Sequence, residues 1–183
     1  KDYLRTHTDR SFEDAVECYF ESQKNTQSLK SLMEENRFSE TNLTAGYRKA
    51  ILKQIVASGI TVHVYGSGWE SSGLLQYPNF VLHSPVSFKE GIALMQRSKI
   101  LLNHMAWFKY GSSERIFNAM SQGALCMTDS SGYLDRILTD NKNCAIYSLC
   151  DADTNAIADR IRTLLSFEIL MFFINLKTLC FLN

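Results

Sequence analysis

After Gly59 the sequence changes rhythm. ITVHVYG, VLHS, KILLNH, ALCMTD and NCAIYSL are short β-rich or mostly apolar runs, each parted from the next by a loop or a segment with helical spacing. Strands that are apolar on nearly every residue are covered on both faces. Parallel neighbours of that kind need crossovers, usually helices, to bring the chain back to the same edge. The alternation therefore predicts an α/β domain, a doubly wound Rossmann-like parallel sheet.

The intervening segments fit that scheme. SFKEGIALMQRS carries Ser87 and Glu90 as a capping box and Phe88, Ile92 and Met95 as a buried stripe. SERIFNAMSQ and YLDRILTD read as further short helices. A helix from about Asp153 to Phe167, with Ile157, Ile161, Leu164 and Leu165 inward, closes the pattern.

Residues 1–58 read as a helical lead-in packed on the main domain at 59–167, with an apolar tail at 168–183. In the lead-in, Ser11 and Asp14 approximate a cap ahead of Phe12, Val16, Tyr19 and Phe20. Leu29, Leu32 and Met33 continue the stripe, the polar stretch Asn36 to Asn42 interrupts it, and Tyr47 to Ala57 forms another helix stopped by Gly59. The tail, FEILMFFINLKTLCFLN, is broken by Asn175 and Lys177 and falls short of the roughly 18 apolar residues of a membrane span. It is expected to pack as a helix or strand on the core or on a partner domain.

Nineteen basic residues balance nineteen acidic ones, so no overall field draws in nucleic acid or an anionic membrane. Five cysteines without a CxxC pair read as reduced, mostly buried thiols of a cytoplasmic protein, and four scattered histidines lack metal-ligand spacing. No transmembrane segment, nucleic-acid partner or metal is expected.

Ligands of such a sheet bind outside the carboxyl ends of the strands. Four loops leave that edge. YGSGWE (Tyr65 to Glu70) has Gly66 and Gly68, which let backbone amides approach a ligand or simply make a turn, but lacks GxGxxG or Walker spacing. In HSPV, Pro85 extends Ser84, presenting backbone to a planar base or closing a turn before Ser87. The long loop NHMAWFKYGSSER leads from Asn103 to a helix that Ser112 or Ser113 can cap; its free amides, its dipole and Arg115 make an anion site. Glu114 and Asn118 share one face of that helix, Glu114 as a dipole partner or a catalytic group, Asn118 bonded internally or to a hydroxyl-rich ligand. In TDSSGYLD, Thr128, Asp129, Ser130 and Ser131 surround a turn at Gly132, suited to a polyol or to an ordinary connection. Polar exits on neighbouring strands are expected to serve one crevice.

The run GSSERIFNAMSQGALCMTDSSGYLDRIL resembles the nucleotide-sugar-binding carboxyl-terminal domain of a two-Rossmann-domain (GT-B) glycosyltransferase. More narrowly, YGSGW, SKILLN and GSSERIFNAMSQGALCMTD resemble the glycosyltransferase group 1 domain of CgeB-like spore-maturation proteins, over about Tyr47 to Leu165. The resemblance implies a donor of UDP, GDP or dTDP type and no separate cofactor. The backbone near His83, Ser84 and Val86 would meet the base, and Asn118 the ribose. Gly66, Ser67, Gly68, Trp69, Asn103, Ser112, Ser113 and Arg115 would surround the diphosphate, and Asp129, Ser130, Ser131, Gly132 and Tyr133 would approach the sugar. Arg115 and Glu114 are the catalytic candidates.

The sequence departs from that family in two ways. Many retaining members carry two glutamates seven residues apart, where this chain has Tyr110 and Asn118, the latter followed by Ala119. Asparagine bonds a ribose hydroxyl without a carboxylate's charge. Members also have an amino-terminal Rossmann-like domain for the acceptor and a leading strand in the carboxyl-terminal half; neither is evident here, which makes the chain a fragment expected to bind a donor more readily than transfer a sugar. No DxD pair calls for a metal, since Asp153 of the Asp151/Asp153 pair reads as a cap. The competing reading is a noncatalytic Rossmann-like interaction module.

Overall fold

The computed structural model describes residues 2–23, 28–152, 154–166 and 178–182. The five apolar runs become strands β1 (Val62–Tyr65), β2 (Phe80–His83), β3 (Ser98–Leu102), β4 (Leu125–Thr128) and β5 (Ala145–Ile146). A sixth, β6 (Thr178–Leu182), comes from the end of the chain. They form one sheet in the order β2-β1-β6-β3-β4-β5, and every pairing is parallel.

Alternate residues of each strand enter different cores, as the two-residue period of a strand requires. Val62, Val64, Ile100, Leu102 and Met127 join Ile51, Leu52 and Ile55 of α3 (Leu29–Ala57) and Ile157 and Ile161 of α6 (Ala156–Ser166). Leu101 and Cys126 join Met95 of α4 (Phe88–Gln96) and Ile116 and Ala119 of α5 (Glu114–Ser121). With helices on both faces, the doubly wound α/β architecture expected from the sequence is present. β1 and β3 lead the chain to opposite sides of the sheet centre, so the carboxyl edge there is the switch-point crevice of such folds.

The lead-in consists of α1 (Asp2–Thr6), α2 (Phe12–Gln23) and α3. The cap of α2 is reciprocal: Ser11 N donates to Asp14 Oδ2 at 2.9 Å, and Asp14 N donates to Ser11 Oγ at 3.1 Å. Leu4, Phe12 and Val16 share the core of α3. The expected interruption at Asn36 to Asn42 does not occur, because α3 runs unbroken for 29 residues. The stretch holds no proline; Asn36, Thr41 and Asn42 cost at most about 0.7 kcal/mol each, and Gly46 beyond it about 1 kcal/mol. Burial of Leu43, Ile51, Leu52 and Ile55 of the same helix in the core outweighs such terms.

Three other expectations are corrected, and Phe88, expected in the buried stripe of α4, is 68% exposed. YLDRILTD contains one 3-10 turn, Leu134–Arg136, rather than a helix. Leu134 and Leu138 are buried there, but the chain turns at once towards β5. NCAIYSL gives a strand of only two residues. Cys18, Cys126, Cys144 and Cys150 are free thiols, of which Cys126 and Cys144 are buried while Cys18 and Cys150 are exposed. Asp153 and residues 167–177 of the tail lie outside the described residues.

The place next to β1 and β3, where a leading strand was missed, is taken by β6. His63, Val64 and Tyr65 pair with Cys180, Phe181 and Leu182 on one side. Ser98, Ile100, Leu101 and Leu102 pair with Thr178 to Phe181 on the other, with a bulge between Ser98 and Ile100.

Candidate functional site

The amino ends of α4 and α5 meet the exit of β1. Ser113, extended at φ −94° and ψ 135°, caps α5 by accepting from Arg115 N at 3.4 Å. Ser87 caps α4 through the full box: Ser87 N donates to Glu90 Oε2 at 2.8 Å and Glu90 N to Ser87 Oγ at 3.4 Å. Between them lies a cleft of about 180 Å³ lined by Tyr65, Gly66, Pro85, Val86, Ser87, Phe88, Gly91, Ile92, Met95, Glu114, Arg115 and Asn118. Gly66 sits at φ 145°, a conformation that L side chains rarely adopt, and keeps the loop close to the cleft. The wall is apolar towards α4 and polar towards α5, with a guanidinium at a helix amino end.

A second cleft of about 540 Å³ is lined by Lys109, Asp129, Ser130, Ser131, Gly132, Asp135, Asp140, Tyr147 and Asp151, with Thr8 and Asp9 of the lead-in at its rim. The polar exits thus open into two clefts with no shared lining residue, not the single crevice expected. The connection between them is strapped down: Gly132 N donates to Lys109 O at 2.9 Å, and Ser131 Oγ donates to Gly111 O at 2.6 Å. A Cβ on Gly111 would come within 2.5 Å of the Phe108 ring, so a larger residue there would displace that ring. Tyr110 O–H donates to Asp14 Oδ1 at 2.6 Å, tying the lead-in to the same loop.

Beneath the second cleft lies a buried polar cluster that joins the candidates Asn103, Asp129 and Ser130 to residues the sequence did not single out. Asp129 Oδ1 accepts from Met105 N at 2.6 Å, and Oδ2 from Lys109 Nζ at 3.2 Å; Lys109 also donates to Ser130 O at 2.9 Å. Burial pushes the Asp129 carboxyl up, against the lowering pull of Lys109 and the Met105 amide. Tyr147 O–H donates to Asn103 O at 2.8 Å, so towards His104 it must accept, and the 3.1 Å contact fixes the proton on His104 Nδ1. Burial, then the charges of Arg48 and Lys109, hold His104 neutral with a pKa of about 3. Arg48 of α3 is itself lowered, first by burial and then by the like charge of Arg115. Only distance along the chain hides this cluster; Arg48, His104, Lys109 and Tyr147 carry no local spacing that marks them.

The candidates are distributed accordingly. Gly66, Val86, Glu114, Arg115 and Asn118 share the first cleft, and Asp129, Ser130, Ser131 and Gly132 the second. Both Asp129 oxygens are occupied by its own chain. Trp69, expected at the diphosphate, is instead a core residue, 6% exposed and packed on Phe80 with centroids 6.0 Å apart. Ser67, Gly68 and Ser84 are exposed and do not line the first cleft. Ser112 is half-buried ahead of the cap, and Tyr133 is exposed beyond the second cleft. Asn103 is fully buried, donating from Nδ2 to Thr128 Oγ1 at 3.0 Å. His83 is bonded to His63. Among the described residues no group of three or more His, Cys, Asp or Glu could hold a metal ion, and no helix is long and apolar enough to cross a membrane.

An all-parallel, doubly wound sheet with clefts along its carboxyl edge is the architecture of a Rossmann-like domain of the GT-B carboxyl-terminal type. Residues 48–168 match the glycosyl transferase-like family, and the chain belongs to it as a glycosyltransferase group 1 domain. No curated protein and no solved structure matches the chain.

Proposed function

We propose that this chain is the donor-binding part of a CgeB-like glycosyltransferase, holding a nucleoside diphosphate sugar of UDP, GDP or dTDP type in the first cleft. One observation carries the reading: Arg115 and the amino end of α5 line a single cleft together with Gly66 and Asn118. In glycosyl transfer an acceptor hydroxyl bonds to the anomeric carbon and gives up its proton, while the bond to the diphosphate breaks and its electron pair leaves with the phosphate oxygen. A preorganised guanidinium and aligned amides offset the charge that develops there. Asn118 suits a ribose hydroxyl. Glu114, one residue before Arg115, borders the same space. The sugar would extend towards Ser130 and Ser131, and the acceptor would come from an amino-terminal Rossmann-like domain facing this edge.

Calorimetric titration with UDP, GDP and dTDP, each with and without sugar, is expected to show saturable binding below the millimolar range for at least one. Arg115→Ala should weaken the diphosphate at least tenfold and the matching nucleoside far less, since a charge-assisted hydrogen bond is worth about 1.5–3 kcal/mol. Equal losses for both ligands, or no binding to the intact chain, would refute the assignment.

A further inference from the structure

Two histidines lie beside the first cleft without belonging to its wall. His63 of β1 and His83 of β2 are diagonal neighbours, because the register pairs His63 with Val81 and Tyr65 with His83. His63 Nδ1 and His83 Nε2 are 2.9 Å apart. The ring planes differ by 14°, and the centroids are 5.2 Å apart. That separation exceeds the distance between the nitrogens by two ring radii, so the imidazoles meet nose to nose in nearly one plane rather than face to face. Such a contact holds one proton, with one nitrogen donating and the other accepting. It also excludes a metal in this arrangement, since a zinc ion between nose-to-nose nitrogens needs about 2.0 Å to each. The Tyr65 ring lies face to face with His83, with centroids 4.3 Å apart and planes within 9°. Tyr65 in turn lines the first cleft.

We propose that His63 is a positioning residue for the nucleobase: by hydrogen bond it fixes His83, and by stacking His83 fixes Tyr65 as the aromatic wall against which a planar base packs. The assignment rests on the donor-binding reading and adds to it the group that orders the base end. The chain of restraint is directional. A free imidazole rotates about two bonds, whereas one bonded at its leading nitrogen keeps its plane, and a stacked phenol ring follows that plane.

The atom used by His63 makes the test specific. An asparagine amide reaches the position of Nδ1, whereas a glutamine amide reaches that of Nε2. Binding of UDP, GDP and dTDP is therefore measured on His63→Asn and His63→Gln, with inorganic pyrophosphate as the baseless probe. His63→Asn is expected to bind the nucleoside diphosphate within about twofold of the parent, and His63→Gln about five- to tenfold more weakly, as expected when one contact of roughly 1 kcal/mol that orders the wall is lost. Pyrophosphate should bind both variants equally. In the unaltered protein, the His63 Nδ1 and His83 Nε2 nitrogen resonances should shift together on adding the nucleoside diphosphate but not pyrophosphate. Equal nucleotide affinity in both variants, equal losses for pyrophosphate, or unmoved imidazole resonances would overturn the role of His63 and leave donor binding standing. Failure of the unaltered protein to bind any nucleoside diphosphate would overturn both.

Discussion

Removing one partner of the Lys109–Asp129 pair should harm the fold far more than removing both. The two side chains are 8% and 2% exposed, and the Nζ to Oδ2 distance is 3.2 Å. Lys109→Met leaves a buried carboxylate without its ammonium partner on Oδ2, and Asp129→Asn leaves a buried ammonium facing an amide. Breaking a buried pair on one side costs about 3–5 kcal/mol, a large part of the 5–15 kcal/mol typical of a whole domain. The double change Lys109→Met/Asp129→Asn leaves no unpaired charge, and the amide oxygen still accepts from Met105 N, whose bond is 2.6 Å in the parent. Its cost should fall short of the sum of the single changes by about 2–3 kcal/mol. Urea unfolding of the four proteins, read by far-ultraviolet circular dichroism, gives the cycle directly. Single changes costing under about 1 kcal/mol, or costs that add to within about 0.5 kcal/mol, would show that the pair is solvated and that Asp129 is free to meet a ligand.

Two further outcomes follow from the same structure. Ending the chain at residue 177 removes β6, which pairs with three residues of β1 and four of β3; at about 0.5–1.5 kcal/mol per backbone bond, with two strand edges opened inside the core, the shortened chain should lose its cooperative thermal transition, and an unchanged melt would refute the central placing of β6. His104 has a folded pKa of about 3 against 6.5 for the free side chain, so between those values only the unfolded chain takes up the proton. Its contribution to stability is therefore flat above pH 6.5 and falls by on the order of 1 kcal/mol per pH unit below it. The raised Asp129 acts in the opposite sense, stabilising the fold as pH falls from its raised value towards 3.8. Subtracting the profile of His104→Asn, which keeps a donor towards Tyr147, isolates the histidine; parallel profiles would mean that it takes up a proton as readily in the fold as in the unfolded chain.

The sequence by itself determined the local elements and their alternation. The Ser87 and Glu90 box, the Ser11 and Asp14 cap and the Ser113 start of α5 are all read from residues within three or four positions of one another, and each is formed as expected. Continuous apolar runs parted by helices likewise determined a parallel sheet covered on both faces, because a strand with no polar side has nowhere else to go. The anion-ready start of α5 was legible for the same reason, since its parts are neighbours in the chain.

Tertiary structure decided what depends on distant partners. Trp69 in a glycine loop looked available to a ligand, but Phe80 and the core claim it. Asp129 looked like part of a polyol site, yet Met105 and Lys109, 24 and 20 residues back along the chain, occupy its oxygens. The run Thr178–Leu182 was equally apolar as a helix, a strand or a docking tail; the unfilled hydrogen bonds of β1 and β3 made it the strand between them. Side-chain spacing encodes which face of an element is buried, but only the assembled sheet fixes which backbone edge is vacant and which charges must neutralise one another out of water.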